Sequence, residues 1–122
     1  MLIDTYAWIE FFNGTEKGAK VKEILKNNAC FTSAICLAEL SEWIERERLD
    51  GKDKLNAVKS LSSIIGLDEE TLLLAGILKV EKRKRVKGFG LLDAIVLATA
   101  KQYGLKIVTG DKHFSGENAI LL

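Results

Sequence analysis

With 122 residues, 48% of them hydrophobic, the chain is long enough for one compact domain spanning 1–122 that buries about two-thirds of its unfolded surface, and too short for a second. Its 18 basic and 17 acidic side chains leave a net charge of +1, which excludes a global field that steers nucleic acid or membrane, so any basic footprint has to be local. Two cysteines, Cys30 and Cys36, without C-x-x-C spacing exclude a disulfide framework, and with no charged leader and no apolar window near the roughly 18 residues of a membrane span the expected location is the cytoplasm.

The chain opens on an apolar strand, Met1-Leu2-Ile3, that stops at Asp4-Thr5 and leaves Asp4 at a strand's carboxyl end. Tyr6 to Phe12 reads as a short helix that Asp4 or Thr5 is suited to cap, and Asn13-Gly14-Thr15 breaks it. Glu16 to Lys26 is an amphipathic helix with Ala19, Val21, Ile24 and Leu25 inward, followed by a strand over Ala29 to Thr32. Ser33 is a good N-cap for a helix reaching about Arg48 on the stripe Ile35, Leu37, Leu40 and Ile44. Lys52 to Leu61 is helical, Ser63 to Leu67 a short strand, and Asp68-Glu69-Glu70 opens a helix with its acids at the positive end of the dipole. Gly88 to Phe114 then supplies an apolar helix, a turn and the strand LKIVTGD, and Asn118 to Leu121 makes an edge strand. Short apolar strands separated by helices predict an α/β fold of three layers: a mostly parallel central sheet of four to five short strands flanked by helices.

Most of the 17 acids lie among Lys, Arg, Asn and Gly, where solvation accounts for them; four do not. Asp4 follows Met-Leu-Ile, Glu39 shares its helix with Ile35, Cys36 and Trp43, Asp93 has Phe89, Gly90, Val96 and Leu97 as helical neighbours, and Asp111 ends an apolar strand. Glu10, with Asn13 and Gly14 as helical neighbours, belongs at the surface. In a parallel sheet Asp4 and Asp111 would share the carboxyl edge, where α/β folds place their ligands, and a helix entering that edge would bring Glu39 or Asp93 alongside. Such a cluster repels itself unless cations screen it or protons neutralise it, and all-oxygen ligands favour Mg²⁺ or Mn²⁺, ions suited to phosphodiester cleavage. The competing reading for each acid alone is a cap, a hydrogen-bonded buried group or a surface charge.

In order along the chain, MLIDTYAWIEFF, TSAICLAEL, GLLDAIVLATA and TGDKHF form a set that resembles the PIN-domain nucleases, and among them the toxin ribonucleases of VapBC-type toxin–antitoxin pairs. The resemblance covers essentially the whole chain. It implies a metal-dependent endoribonuclease whose catalytic and metal-binding acids map onto Asp4, Glu39, Asp93 and Asp111. Thr109 would help order the site, with Thr5 and Ser33 in support. It also implies an RNA substrate, a homodimer, and an antitoxin segment laid across the active-site groove. Two positions depart from the family pattern: Tyr6 stands where a small hydroxyl or amide residue often follows the Asp-Thr pair, and His113 where many members carry a further acid. The loss of that acid puts the number of ions in question, and a lone loop histidine reads more readily as a packed or solvated residue.

A local basic footprint precedes the helix bearing Asp93: Lys79, Lys82, Arg83, Lys84, Arg85 and Lys87 against the single acid Glu81. Lys82, Arg83, Lys84 and Arg85 are the candidates to hold RNA phosphates, against the plainer reading of a solvated helix end. Phe11, Phe12, Trp43 and Ile44 are candidates for a hydrophobic partner surface, although core packing explains most of them. Two other functions remain: a catalytically silent binding module on the same fold, and a nuclease of RNA processing rather than a toxin. A phosphoacceptor of receiver or dehalogenase type is poorly supported, since the first strand is followed by Asp4-Thr5-Tyr6 without the second acid those patterns need.

Overall fold

A computed structural model describes residues 1–122. In chain order the elements are β1 (Leu2–Ile3), α1 (Thr5–Asn13), α2 (Glu16–Asn27), β2 (Phe31–Ser33), α3 (Ala34–Arg46), α4 (Gly51–Leu61), β3 (Ser63–Ile65), α5 (Glu69–Arg83), α6 (Leu91–Tyr103), β4 (Ile107–Thr109) and β5 (Ala119–Leu121), with one turn of 3-10 helix at Lys112–Phe114. The strands form one sheet in the order β3-β2-β1-β4-β5, and every neighbouring pair is parallel. The expected mostly parallel sheet of four to five strands is thus an all-parallel sheet of five.

Both faces of the sheet are covered, so strand residues alternate between two apolar cores rather than between core and water. Leu2 and Ile107 pack with α6 and Ala75 of α5 on one side, while Ile3 and Val108 pack with Ala7, Trp8, Val21, Leu40, Trp43 and Val58 on the other. The polar side chain buried on that second side is satisfied in a chain: Trp8 Nε1 donates to Thr32 Oγ1 at 3.1 Å, Thr32 and Ser62 hydroxyls lie 2.7 Å apart, and Ser62 Oγ donates to the Val58 carbonyl at 2.7 Å. Residues 94–100 of α6 are all buried, so this helix is a central pillar rather than an amphipathic surface element.

Several boundaries shift. β2 begins at Phe31 rather than Ala29, because the parallel register pairs Leu2 with Phe31 while the Ala29 carbonyl accepts from the chain's amino terminus at 3.1 Å. α3 stops at Arg46, before a turn in which Arg48 adopts φ 55° and Leu49 N–H donates to the Ile44 carbonyl at 3.0 Å. Of the residues weighed as partner surface or core, Trp43 and Ile44 are buried, and Phe11 and Phe12 are half-buried against Trp8, so packing accounts for them. Glu10 is also half-buried, accepting from the Thr15 hydroxyl.

The α1–α2 hairpin depends on Gly18, where a Cβ would come within 2.1 Å of the Glu10 carbonyl oxygen. Gly18→Ala should therefore lower stability by about 1–3 kcal/mol, read as a lower urea midpoint at unchanged slope.

Candidate active site

The strand order places a topological switch between β1 and β4: the chain leaves β1 toward β2 on one side and later returns to β4 on the other. The crevice outside the carboxyl ends of two such strands is where open α/β sheets bind ligands. Asp4 follows β1 directly, its amide donating to the Val108 carbonyl at 3.0 Å, and Asp111 lies two residues past β4. Asp93 arrives on the first turn of α6 and Glu39 on the second turn of α3.

Hydroxyl and amide groups orient the four acids. Thr109 Oγ1 donates to Asp4 Oδ2 at 2.8 Å and accepts from the Asp111 amide at 3.0 Å, so one hydroxyl bridges the first and last acids. Thr5 Oγ1 donates to Glu39 Oε1 at 2.8 Å, and the Gly90 amide donates to Asp93 Oδ2 at 3.0 Å. Asp4 and Ser33 both occupy N-cap positions, but neither side chain makes the cap bond. Asp4 is turned to Thr109 instead, and Ser33 Oγ is a buried hydroxyl with no partner. Continued by two residues, the Leu2–Phe31 register sets Ser33 beside Asp4, on the side away from β4.

Two side chains enter the site that sequence reasoning had set aside. His113 Nδ1 stands 3.2 Å from Asp93 Oδ2 and 3.3 Å from Asp111 Oδ1, and the His113 amide donates to Asp111 Oδ1 at 2.9 Å. Gly88, with φ 84°, leaves room for this ring: a Cβ there would lie 3.2 Å from His113 Nε2. The Cys36 thiol, free and buried as expected, shares a donor group with Asp4 and Glu39. Its position three residues before Glu39 on one helix was a legible signal. Tyr6 packs against Gly110, where a Cβ would fall 2.1 Å from Tyr6 Cε1, and its hydroxyl accepts from Lys17 Nζ at 3.0 Å.

The basic cluster is corrected at one position. Lys82 is buried at 6% exposure and pairs with Glu117 at 2.9 Å, with Lys101 3.6 Å from the other Glu117 oxygen. It is seven residues after Ala75 and so on the inner face of α5, which removes it from any phosphate-facing surface. Arg83, Lys84, Arg85 and Lys87 are exposed, and Arg83 Nη1 donates to the Phe89 carbonyl at 3.3 Å beside the start of α6.

The sequence model of the PIN domain matches residues 1–116. The chain belongs to the PIN-domain family. Among solved structures, this PIN domain is similar to a toxin–antitoxin complex from Klebsiella pneumoniae, with TM-score 0.78 and 24% identity over 98% of this chain and 94% of that one. It is also similar to VapBC2 from Rickettsia felis bound to a promoter DNA fragment, with TM-score 0.75 and 21% identity over 99% and 96%. A third is VapC20 of Mycobacterium tuberculosis, a sarcin–ricin loop cleaving toxin, with TM-score 0.73 and 17% identity over 93% and 92%. At these identities the likeness is one of fold. No curated protein sequence matches the chain significantly.

The electrostatics of the PIN-domain crevice follow from its composition. None of the four acids has a Lys or Arg partner, the ion pairs of the molecule lying elsewhere apart from the two to His113. Burial pushes Asp4 up to about 7; bonds from Thr109 and the Thr5 amide oppose it, and Glu39 and Asp93 push the same way. Glu39 is raised by burial, against its bond from Thr5, with Asp93, Glu42 and Asp111 adding to the rise. Cys36 is held above the usual thiol range by burial and then by Asp4, so it stays neutral.

For a carboxyl raised from 3.8 to about 7, the folded state keeps a proton that the unfolded chain releases. Its contribution to stability is full below the unfolded value, falls as pH rises, and is gone above the folded value. In the presence of chelator the melting temperature should be lower at about pH 8 than at about pH 5, and Asp4→Asn should flatten that difference.

Proposed function

We propose that this PIN domain is a Mg²⁺- or Mn²⁺-dependent endoribonuclease, the cytoplasmic toxin of a toxin–antitoxin pair, and that it works as a homodimer restrained by its antitoxin. The observation that carries the reading is the convergence of Asp4, Glu39, Asp93 and Asp111 at the switch point with no lysine or arginine to balance them. Support comes from the toxin–antitoxin complexes among the similar folds and from a similar fold that is a toxin cleaving the sarcin–ricin loop. No helix is long and apolar enough to cross a membrane.

The donor chemistry fits a divalent ion. Asp93, Asp111 and His113 offer ligand atoms all within 4.8 Å of one another, as do Asp4, Cys36 and Glu39, and the carboxylate-rich set suits a hard cation. When bound, such an ion supplies Lewis acidity that activates water and offsets charge developing at the phosphate. The chain's own groups prepare that chemistry. Thr109 fixes the Asp4 carboxylate against β4, Thr5 fixes Glu39, and the Gly90 amide just before α6 aims Asp93. Ser33 leaves a hydroxyl free beside Asp4. The exposed cations at the entry to α6, Arg85 and Lys87 among them, would hold the RNA backbone.

The parent protein, freed of any partner, should cleave single-stranded RNA with Mg²⁺ or Mn²⁺ and stop with chelator. Asp4→Asn and Asp93→Asn should abolish cleavage, and Thr109→Val should slow it by about 10- to 100-fold because it removes the hydroxyl that orients Asp4. Equal rates in the parent and both acid variants would refute the assignment.

The basic segment has its own test, by titrating single-stranded RNA binding against salt. Replacing Arg85 and Lys87 by Gln should reduce the salt slope by about 1.4, two lost phosphate contacts on a single strand. An unchanged slope would return the segment to plain surface.

A further inference from the structure

His113 is the only histidine of the chain, and its ring is seated rather than free. The Nε2 edge faces the backbone of Gly88, where a Cβ would lie 3.2 Å from that nitrogen, and Phe89 packs edge-on against the imidazole with ring centroids 6.5 Å apart at 68°. Both contacts come from the segment that leads into α6, the helix that carries Asp93. With Nε2 turned toward Gly88, the ring presents Nδ1 to the two acids, 3.2 Å from Asp93 Oδ2 and 3.3 Å from Asp111 Oδ1.

Those two distances separate a hydrogen-bonding role from a ligating one. A charge-assisted bond from an imidazole to a carboxylate closes to about 2.7–2.9 Å, and a single N–H serves one carboxylate well rather than two equally. Ligand atoms about 2.1 Å from a shared ion, at right angles to one another, stand about 3 Å apart. A nitrogen nearly equidistant from both oxygens, and beyond charge-assisted length from each, matches the second arrangement. Both oxygens also have outer support of the kind that orients ligands: the Gly90 amide donates to Asp93 Oδ2 at 3.0 Å, and the His113 amide to Asp111 Oδ1 at 2.9 Å. The resulting donor set is two carboxylates and one imidazole. Mg²⁺ takes oxygen ligands and dehydrates reluctantly, whereas an imidazole nitrogen adds affinity for first-row transition ions.

We propose that His113 Nδ1 is a metal ligand, and that Asp93, Asp111 and His113 form a mixed nitrogen–oxygen site that selects Mn²⁺ over Mg²⁺. The inference rests on the divalent-ion reading of the crevice and narrows its choice of ion. Asp4 and Glu39, which with Cys36 make up the other donor group, do not enter it.

Calorimetric titration of the untagged, metal-free protein with MnCl₂ and with MgCl₂ tests it, together with pulsed electron paramagnetic resonance of the Mn²⁺-loaded protein. Because the chain has one imidazole, any coordinated imidazole nitrogen is that of His113. The parent should show that nitrogen coupling and bind Mn²⁺ at least about tenfold more tightly than Mg²⁺. His113→Gln should lose the coupling and bind Mn²⁺ at least about tenfold more weakly, with little change for Mg²⁺. His113→Asp, which makes the set all-oxygen, should lose the coupling and bring the two affinities together. Mn²⁺ bound by the parent without nitrogen coupling, or an equal Mn²⁺-to-Mg²⁺ ratio in the parent and His113→Gln, would overturn the ligand role while the nuclease reading stands. A parent that takes up neither ion would overturn both.

Discussion

Repulsion among carboxylates is the interaction on which the rest of this molecule turns. Asp4, Glu39, Asp93 and Asp111 are drawn from four separate elements into one crevice, where burial and mutual repulsion raise Asp4 and Glu39 above their ordinary range. Neutral donors hold them: the Thr109 and Thr5 hydroxyls and the Gly90 amide. Lysine and arginine would relieve the repulsion at once, and the protein keeps them out. It instead buries Lys82 against Glu117 and leaves its other cations at the surface. A crevice so arranged favours protons on its acids, and the proposed chemistry would relieve the same repulsion with a divalent cation.

The all-parallel sheet makes that arrangement possible. Its order puts β1 and β4 side by side with a switch between them, so the residues after both strands emerge at one edge. The backbone bond from Asp4 to Val108 and the Thr109 bridge then tie the two loops together. Around this edge the glycines make room rather than motion: Gly110 accepts the ring of Tyr6 and Gly88 the ring of His113. Tyr6 and His113, the two departures from the family pattern, are thus both seated on glycine backbones at the rim of the site.

Much of this was legible in the sequence. The strand–helix alternation, the acids stranded among apolar neighbours and the ordered motif set all depend on local periodicity and on what cannot be left solvated, and both are properties of neighbouring residues. Where reading along the chain failed, the deciding partner was distant. Lys82 resembles its basic neighbours until Glu117, thirty-five positions later, is seen beside it. His113 has one carboxylate nearby in the chain, Asp111, and only Asp93, twenty positions earlier on α6, sets its ring between two. Trp43 and Ile44 were weighed as partner surface or core, and the choice between the two rests on Trp8 and Val58, which come from other helices.

The amino-acid sequence by itself determined the class of fold, the order of its elements and the identity of the four acids, because apolar spacing dictates which side of each strand or helix must be hidden. Tertiary structure alone decided which acids share a hydroxyl, that Ser33 keeps one unbonded, that His113 joins the donor groups, and that the stripe Leu73, Ile77 and Val80 of α5 is left exposed. Those outcomes depend on strand register and helix packing, long-range choices that no window of neighbouring residues contains.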